Sequence, residues 1–328
     1  MKYSSIAPYL DDEIYYNFFI GGRGVGKTHS TIEYLRKKKQ KFIYLRTTTK
    51  ELELAVVKND FAKQDPTINF QALKKDLYGI YKEDALIGYG AALSTFKNLR
   101  GIDFSDVMII FHDEFIGERS ARKVVKYELD ALLNLLESIN HNREFEGIES
   151  CRYIGCANSN EIYNPYFIGL NILQKLEITL SNGQRVFKDP ARCLQVVVLE
   201  APKEFIDAKR KTPLYRLSAG TEFEKMALDN QFSYNDFSMV KDLNIKGFEP
   251  QFKIDDCILW KRKNDDLYIL KKSTMRMRNC FKTRDDVDMK ILYKLYSGLF
   301  FRLIANNKIY FQNYEIKRKL FDILKIKC

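Results

Sequence analysis

Short apolar runs alternate with a helical pattern along the first 200 residues. Runs rich in β-branched and aromatic residues predict buried strands over 15–20, 42–46, 107–112 and 152–158. Before the last strand, apolar residues recur at helical spacing and predict a helix with one face packed on a sheet; they are Val125, Leu129, Leu132, Leu133, Leu136 and Ile139. This alternation predicts an α/β domain with a parallel sheet over residues 1–197.

A different order of elements follows residue 197. A charged stretch with turn residues over 198–226 predicts a linker or a small lid subdomain. Beyond it we expect three strands, a helix, a strand and a final helix, at 251–255, 257–261, 267–271, 292–303, 309–311 and 316–324. This order matches the front of a ribonuclease H-like fold and predicts a small α+β domain over 227–328.

Composition favours a folded protein that needs no disulfides. The 328 residues are 45% hydrophobic and 13% aromatic, which is too apolar for a disordered chain. The six cysteines form no C-x-x-C pair, and none of the three histidines lies at ligand spacing from one, so we expect reduced cytosolic thiols and no zinc site. No apolar run reaches the length of about 18 residues that a membrane helix needs, so neither export nor membrane insertion is expected.

The positive charge lies almost entirely in the second part of the chain. The formal net charge is +11. Residues 1–200 hold 27 basic and 26 acidic side chains, whereas residues 201–328 hold 27 basic and 17 acidic side chains. Such asymmetry predicts one near-neutral domain and one that faces a polyanion, for which nucleic acid is the first candidate.

A glycine-rich motif follows the first predicted strand directly. It fits G-x-x-x-x-G-K-[ST] and leads into a predicted helix over 28–39. Glycines let backbone N–H groups surround phosphate oxygens, and the helix N-terminus adds the positive end of its dipole. Lys27 would reach the β and γ phosphates, and Thr28 would hold Mg²⁺. The motif predicts an ATP site made by Gly21, Gly22, Arg23, Gly24, Val25, Gly26, Lys27 and Thr28; the alternative is a glycine-rich turn without function.

A second motif, which is acidic, distinguishes between classes of phosphate-loop protein. Asp113 and Glu114 follow the apolar strand over 107–112. Asp113 would polarise the Mg²⁺ shell, and Glu114 would orient or deprotonate the attacking water. An acidic pair at a strand end is common by itself. Together with the phosphate loop it favours an ATPase of the additional-strand, catalytic-glutamate class over transfer of phosphate to a small acceptor.

Polar residues at the ends of two other predicted strands are further candidates. The carboxyl ends of parallel strands meet at one edge of a sheet, so we expect them near the nucleotide. Asn158 is a candidate sensor of the γ-phosphate or the attacking water, or else the cap of the following turn. Arg46 is a candidate phosphate contact, or else a surface arginine.

Two loop arginines are candidates for action between subunits. Arg143 lies just past the predicted helix, and Arg100 lies in a turn before the acidic strand. In a ring of subunits, either one could stabilise negative charge on a neighbour's γ-phosphate in the transition state. Without a ring, both are ordinary loop arginines.

The basic C-terminal domain is expected to bind DNA without cutting it. Two metal ions would need carboxylates on its first and fourth strands, and although Asp255 and Asp256 could serve the first, the fourth ends in Gln312 and Asn313. The candidate contacts to phosphate are Lys261, Lys263, Lys271, Lys272, Arg276 and Arg278. The alternative is a basic solvated face with no specific partner.

Taken together, these motifs resemble the DNA encapsidation (genome-packaging) ATPases of small tailed phages of the podovirus type. The resemblance covers about the first 235 residues, and its segments are 21–28, 111–116, 131–135, Asn158 with 164–167, and 220–222 with 228–232. The first two segments are common to phosphate-loop motors, whereas the last two are more specific to the family.

The resemblance implies a ring motor, a homopentamer in the best-known relatives, that pushes double-stranded DNA through the portal into an empty capsid by hydrolysing ATP with Mg²⁺. It implies a degenerate ribonuclease H-like domain at the C-terminus. It also implies a location in the host cytoplasm and transiently on the procapsid, but not in the mature virion. The family's trans-acting arginine falls on or beside His141, so that role passes to Arg143 or Arg100. Some relatives use a structural RNA, and the sequence does not show whether this chain does.

Two other functions stay open at this point. One is a helicase or another DNA-stimulated ATPase of the same class. The other is a phosphate-loop scaffold that tethers DNA without hydrolysing ATP, although Glu114 argues against it.

Overall fold

The computed structural model describes residues 3–99, 101–116, 128–141, 143–158, 162–221, 224 and 238–324. The chain divides into two compact units, Met1–Ser233 and Tyr234–Cys328. The segment 198–226, expected as a separate linker, thus falls within the first unit. The expected boundary at residue 227 lies outside the described residues.

A nine-stranded sheet forms the first unit. In chain order its strands are β1 (Tyr16–Gly21), β2 (Lys41–Arg46), β3 (Ile68–Lys74), β4 (Leu77–Lys82), β5 (Ala85–Ala92), β6 (Val107–Asp113), β7 (Arg152–Asn158), β8 (Val186–Asp189) and β9 (Leu194–Leu199). The four strands predicted from the apolar runs are β1, β2, β6 and β7, and all four are confirmed to within one residue at each end. The apolar runs are continuous because most positions in these strands are buried.

The strand order explains how the sheet builds a nucleotide site. It runs β3-β4-β5-β2-β6-β7-β1-β9-β8. The six central strands from β5 to β9 are mutually parallel, and antiparallel strands flank them on both sides. Strand β7 lies between β1, which precedes the glycine-rich loop, and β6, which carries the acidic pair. This arrangement confirms the predicted additional-strand class of phosphate-loop fold.

Seven helices accompany this sheet within the described residues. They are α1 (Lys27–Lys38), α2 (Thr49–Lys58), α3 (Glu128–Asn140), α4 (Pro165–Gly169), α5 (Leu173–Ser181), α6 (Lys203–Arg210) and α7 (Pro213–Leu217). Helix α2 begins with a capping box, in which Thr48 Oγ1 accepts from the Glu51 N–H and Glu51 Oε2 accepts from the Thr48 N–H. Helix α4 begins at Asn164, whose Oδ1 accepts from two backbone N–H groups.

Helix α3 confirms most of the predicted apolar face. Leu132, Leu136 and Ile139 are buried, as is Leu135. Leu133 is 47% exposed, because the helix buries a narrower stripe than the spacing suggested. Val125 lies outside the described residues.

The segment expected as a linker or lid is helical and packs on the nucleotide-binding loop. Phe205 of α6 is buried in the main core together with Val25 and Leu199. Lys209 Nζ donates to the Arg23 carbonyl oxygen at 3.1 Å and lies 4.8 Å from the centre of the Phe205 ring. The lid therefore holds the outer side of the loop directly.

The second unit is a five-stranded sheet with two helices. Its strands are β10 (Phe248–Ile254), β11 (Cys257–Arg262), β12 (Tyr268–Lys272), β13 (Cys280–Phe281) and β14 (Ile309–Phe311), and its helices are α8 (Asp286–Ala305) and α9 (Tyr314–Ile323). The sheet order is β13-β10-β11-β12-β14. The predicted order of strands and helices is confirmed, with β13 in addition. Its relation to ribonuclease H-like nucleases rests on that order and stays a prediction.

The described residues include no helix long and apolar enough to cross a membrane.

Candidate nucleotide-binding site

The loop between β1 and α1 has a backbone that glycine alone fits without strain. Gly24 and Gly26 have φ angles of +75° and +109°. A Cβ at Gly26 would lie 2.6 Å from the Cβ of Tyr3, and one at Gly21 would lie 2.6 Å from the Leu199 carbonyl oxygen. Val25 is buried in the core, so it can reach a phosphate only through its backbone. The loop conformation supports the predicted phosphate site.

Lys27 is directed into this loop from the first turn of α1. Its Nζ donates to the carbonyl oxygens of Gly21 and Gly22, each at 2.8 Å, and lies 3.4 Å from Asn158 Oδ1. Burial lowers the pKa of Lys27 to about 8. Asn158 at the end of β7 therefore lies beside Lys27, the predicted phosphate ligand, as the sequence led us to expect.

Thr28 and Asp113, which the sequence predicts as metal ligands, lie side by side. Thr28 Oγ1 donates to Asp113 Oδ1 at 2.9 Å, across the gap between α1 and the end of β6. Burial raises the pKa of Asp113, while the charge of Arg46 opposes that rise. A hydroxyl and a carboxylate side by side are oxygen ligands of the kind that Mg²⁺ prefers, so this pair fits the ion.

Arg46 holds both acidic residues together. One guanidinium nitrogen donates to Asp113 Oδ2 at 3.0 Å, and the other donates to Glu114 Oε2. The side chain is 10% exposed, and the Tyr44 hydroxyl donates to Asp113 Oδ2 at 3.2 Å. The interpretation of Arg46 as a surface arginine is therefore wrong, and its role as a phosphate contact stays a prediction. Its donors face two carboxylates because strand β2 lies next to β6 in the sheet.

Glu114 combines an unusual backbone with an accessible side chain. Its φ is +56°, a left-handed conformation that costs a non-glycine residue about 1 kcal/mol or more. Its side chain is 55% exposed and lines the same cavity as Lys27 and Thr28. The turn thus sends Asp113 into the protein and Glu114 toward the space where a phosphate and a water would meet.

These groups surround one cavity of about 740 Å³. A volume of this size accommodates a whole nucleotide. Its walls are the glycine-rich loop, the start of α1, the turn after α2 and the ends of β6 and β7. All the predicted loop residues that line it, together with Asp113, Glu114 and Asn158, therefore converge on one site.

A buried histidine, His112, lies in the strand that carries the acidic pair and contacts neighbouring segments. His112 is fully buried, and its two ring nitrogens lie 3.2 Å from Thr47 Oγ1 and 3.0 Å from the Tyr153 hydroxyl. Burial lowers the pKa of His112 to about 3. The histidine is therefore uncharged at neutral pH, and it ties β6 to its two neighbouring strands, β2 and β7.

Arg143 does not line this cavity, and its contacts within the chain argue against the role across subunits, which stays a prediction. Its guanidinium is buried and donates to the carbonyl oxygens of Val107 at 2.7 Å, Phe104 at 3.2 Å and Ser105 at 2.5 Å. Val107 begins β6, at the edge of the sheet opposite the phosphate loop. Reaching a neighbour's phosphate would break all three bonds, which favours a structural role for Arg143. The other candidate, Arg100, lies outside the described residues.

The predicted basic patch of the second unit is divided between the two faces of its sheet. Lys261 and Lys272 share a face with the helix-covered residues Leu259 and Leu270, whereas Lys271 lies on the other face. All four predicted lysines also have acidic partners: Lys261 pairs with Asp266, Lys263 with Glu249, Lys271 with Asp242 and Lys272 with Asp256.

Arg276 and Arg278 differ from those lysines. Both are exposed in the segment between β12 and β13, and within the described part of the chain neither forms an ion pair. The six candidates therefore differ in their surroundings, and the two arginines are the better candidates for phosphate contact.

The acids expected on the first strand of this domain are engaged within the protein. Asp255 accepts from the N–H and the hydroxyl of Thr283 at 2.9 and 2.6 Å. Asp256 lies 3.6 Å from Lys272 Nζ. Among the described residues there is no group of three or more His, Cys, Asp or Glu side chains that could hold a metal ion.

Sequence reasoning missed three residues of the nucleotide site. Tyr44 could have been found, because it lies two positions before Arg46 and therefore on the same face of the strand. Tyr3 and Lys209 reach the loop from distant parts of the chain. No local pattern marks either of them.

Comparison with known proteins identifies the family of the chain. A model of the podovirus DNA encapsidation protein (Gp16) family matches residues 3–316. The DNA packaging protein of Bacillus phage B103 is 29% identical over 312 residues, which are 92% of this chain and 88% of that protein. The structure titled the bacteriophage Phi-29 viral genome packaging motor assembly matches with a TM-score of 0.68 at 22% identity, over 99% of both chains.

A second solved structure matches the first unit in particular. It is the N-terminal domain of the DNA packaging ATPase from bacteriophage phi29, with a TM-score of 0.50 at 25% identity over 61% of this chain and 98% of that one. Because the family model spans nearly the whole chain, the resemblance drawn from the motifs is confirmed: this protein belongs to the podovirus DNA encapsidation protein (Gp16) family.

Proposed function

We propose that this protein is the ATP-driven motor that moves double-stranded phage DNA into a preformed capsid. The observation that carries the proposal is one cavity lined by Lys27, Thr28, Asp113 and Glu114, in a chain of the DNA encapsidation family. These are the groups that binding and hydrolysing a nucleoside triphosphate require.

Each residue of the site has a distinct task. The loop N–H groups and Lys27 bind the phosphates, and Thr28 and Asp113 hold Mg²⁺, which when bound neutralises phosphate charge. Glu114 accepts a proton from the attacking water, and Asn158 orients the water or the γ-phosphate. Arg46 fixes the direction of the Asp113 carboxylate through one of its donors.

Arg46 also forms an ion pair with Glu114 in this structure. While Glu114 Oε2 accepts a hydrogen bond from the guanidinium, that oxygen is not available to the attacking water. Glu114 is half exposed and Arg46 is not, so Glu114 is the partner that can turn away. Hydrolysis accordingly requires the Glu114 side chain to leave Arg46 and face the water.

The assembly follows from the family and stays part of the proposal. Subunits form a ring, a pentamer by analogy with the relatives, which is seated on the portal of the procapsid in the host cytoplasm and is absent from the mature virion. The three bonds of Arg143 to backbone carbonyls favour a structural role over action on a neighbour. A structural RNA is a further partner only if packaging requires it. A packaging reaction from which the RNA is omitted tests this requirement.

Duplex DNA is the polyanion that fits the charge of the second unit. Residues 234–328 hold 21 Lys and Arg against 12 Asp and Glu. Nonspecific binding to the phosphate backbone is what translocation along any sequence needs. Arg276 and Arg278 are the proposed contacts.

The test is ATP hydrolysis stimulated by double-stranded DNA, measured with and without the matching empty capsid. Lys27→Ala should lose ATP binding, whereas Glu114→Gln should bind ATP and hydrolyse it at least 100-fold more slowly. Equal turnover in wild type and Glu114→Gln would refute the proposed chemistry. Unwinding of a forked duplex by the wild type would indicate a helicase instead.

A further inference from the structure

The nucleotide cavity has two chemically different ends. One end carries Asp113, Glu114 and Asn158, which act on the phosphates. The other end carries Tyr3 and His29. Among the described residues that line the cavity, these two supply the aromatic rings.

Tyr3 is held in place by its neighbours in the chain. The Ser4 N–H donates to the Val25 carbonyl oxygen at 2.9 Å, and the Ser4 hydroxyl donates to the Glu200 carbonyl oxygen. These bonds lay the segment along the outer side of the phosphate loop, with the Tyr3 Cβ against Gly26. The backbone is thus fixed while 48% of Tyr3 stays exposed.

The Tyr3 ring packs in a small aromatic cluster beside the cavity. Its centre lies 5.3 Å from that of His29, at an interplanar angle of 47°, and 6.0 Å from that of Phe205 in the lid. Gln64 holds the His29 region: its side-chain nitrogen donates to the His29 carbonyl oxygen at 2.9 Å and lies 3.1 Å from Nδ1. Contacts from α1 and α6 therefore hold the Tyr3 ring in place.

The first turn of α1 directs His29 away from Lys27. Successive helical residues are rotated by about 100°, so His29 projects about 200° away from Lys27. Lys27 faces the loop carbonyls and Asn158, and Thr28 faces Asp113. A nucleotide with its phosphates on the loop and its γ-phosphate toward Glu114 must extend its sugar and base away from the carboxylates, toward Tyr3 and His29.

We propose that the purine base of the bound nucleotide stacks on Tyr3 at this end of the cavity, beside His29. The proposal rests on the proposed function, in which this cavity holds ATP. Aromatic faces attract the faces of nucleobases without regard to which base is present. Tyr3 accordingly contributes equally to the affinity for ATP and ADP and does not touch the reacting atoms.

The test separates binding of the base from binding of the phosphates. Affinities of the full-length protein for ATP, ADP and inorganic tripolyphosphate, each with Mg²⁺, are measured for wild type, Tyr3→Ala and Tyr3→Phe. Tyr3→Ala should weaken binding of both nucleotides about tenfold, and Tyr3→Phe should stay within about twofold of wild type. Affinity for tripolyphosphate should be the same in all three. Tyr9→Ala, which changes a tyrosine of the same segment outside the cavity, is the matched control and should bind both nucleotides normally.

The outcomes distinguish the two proposals. If Tyr3→Ala weakens tripolyphosphate as much as ATP, Tyr3 only shapes the phosphate loop and stacking is refuted. If Tyr3→Ala binds ATP like wild type, stacking is refuted while the proposed function stands. If the wild type binds neither ATP nor tripolyphosphate, both proposals fail.

Discussion

Arg46 compensates two carboxylates at the centre of the nucleotide site, and its pair with Asp113 is buried. The two side chains are 10% and 7% exposed. Removing one partner of such a pair leaves an uncompensated buried charge. The pair of Arg36 with Asp65, at 3.4 Å, offers a comparison because Arg36 is 40% exposed and water screens its charge.

We predict that Arg46→Met lowers the free energy of unfolding by about 3 kcal/mol. Arg36→Met should lower it by less than about 1 kcal/mol. Urea unfolding of both variants measures the difference. Equal losses would show that Arg46 is not the compensating charge of the site.

The lowered pKa of Lys27 predicts how nucleotide affinity depends on pH. Below pH 8 the ammonium is charged both before and after the phosphates bind. Above its pKa of about 8 the free protein loses this proton and must regain it on binding. Affinity is therefore full below pH 8 and falls as pH rises, by up to about tenfold per pH unit.

Equilibrium binding of ATP between about pH 6.5 and pH 9.5 measures this dependence. Lys27→Arg is the matched control, since arginine keeps its charge throughout this range. Its affinity, although lower, should not change with pH. A decline of the same steepness in both proteins would assign the titration to another group.

At the scale of elements, burial explains only in part which strands the sequence revealed, because β9 is buried at all six positions and was still missed. Strands β1, β2, β6 and β7 are buried almost throughout and therefore appear as continuous apolar runs. Strand β3 is exposed at most positions, and β4 and β5 contain Gly79, Gly88 and Gly90. Their pattern resembles a loop, so the antiparallel edge of the sheet was missed.

The motif that begins at Asn164 packs against the residue that follows the acidic pair. Asn164 caps α4, and Tyr166 and Phe167 of that helix are buried. Both rings pack on Phe115, which follows the acidic pair directly. The motif looked specific to the family, and the structure gives it a physical role: it supports the turn that presents Glu114.

Arg143 fastens the segment after α3 to the start of β6, which predicts a defect in stability and not in catalysis. Arg143→Met removes the donors from three carbonyl oxygens. We expect the free energy of unfolding to fall by about 3 kcal/mol. ATP hydrolysis per folded molecule, measured well below the melting temperature, should stay within about twofold of wild type.

Arg185 supplies the control, because it is 46% exposed in its pair with Glu200. Arg185→Met should melt close to wild type. A normal melting temperature for Arg143→Met, combined with a loss of hydrolysis that active subunits restore on mixing, would return Arg143 to the role across subunits.

At the scale of the molecule, the sequence predicted two units of different charge. It did not predict that the segment 198–226 is part of the first unit. The excess of basic residues lies in the second unit, as expected. Whether 198–226 joins one unit or links two depends on contacts such as Lys209 with Arg23, which are far apart in the chain. For the same reason, counting lysines did not show that acidic neighbours pair with them.

The difference between paired lysines and unpaired arginines predicts the salt dependence of DNA binding. Each lost contact to phosphate lowers the slope of log affinity against log salt concentration by about 1. Replacing both Arg276 and Arg278 by Gln should therefore lower the slope by about 2. Replacing Lys261 and Lys272, which already pair with Asp266 and Asp256, should lower it by clearly less.

Binding of a long duplex between about 50 and 200 mM salt measures both slopes. The two variants remove the same charge from one unit, so a general electrostatic effect would change them equally. Equal slopes would mean that the whole field of the domain, and not the segment between β12 and β13, holds the DNA. A larger loss from the lysines would mean that they release their acidic partners when DNA binds.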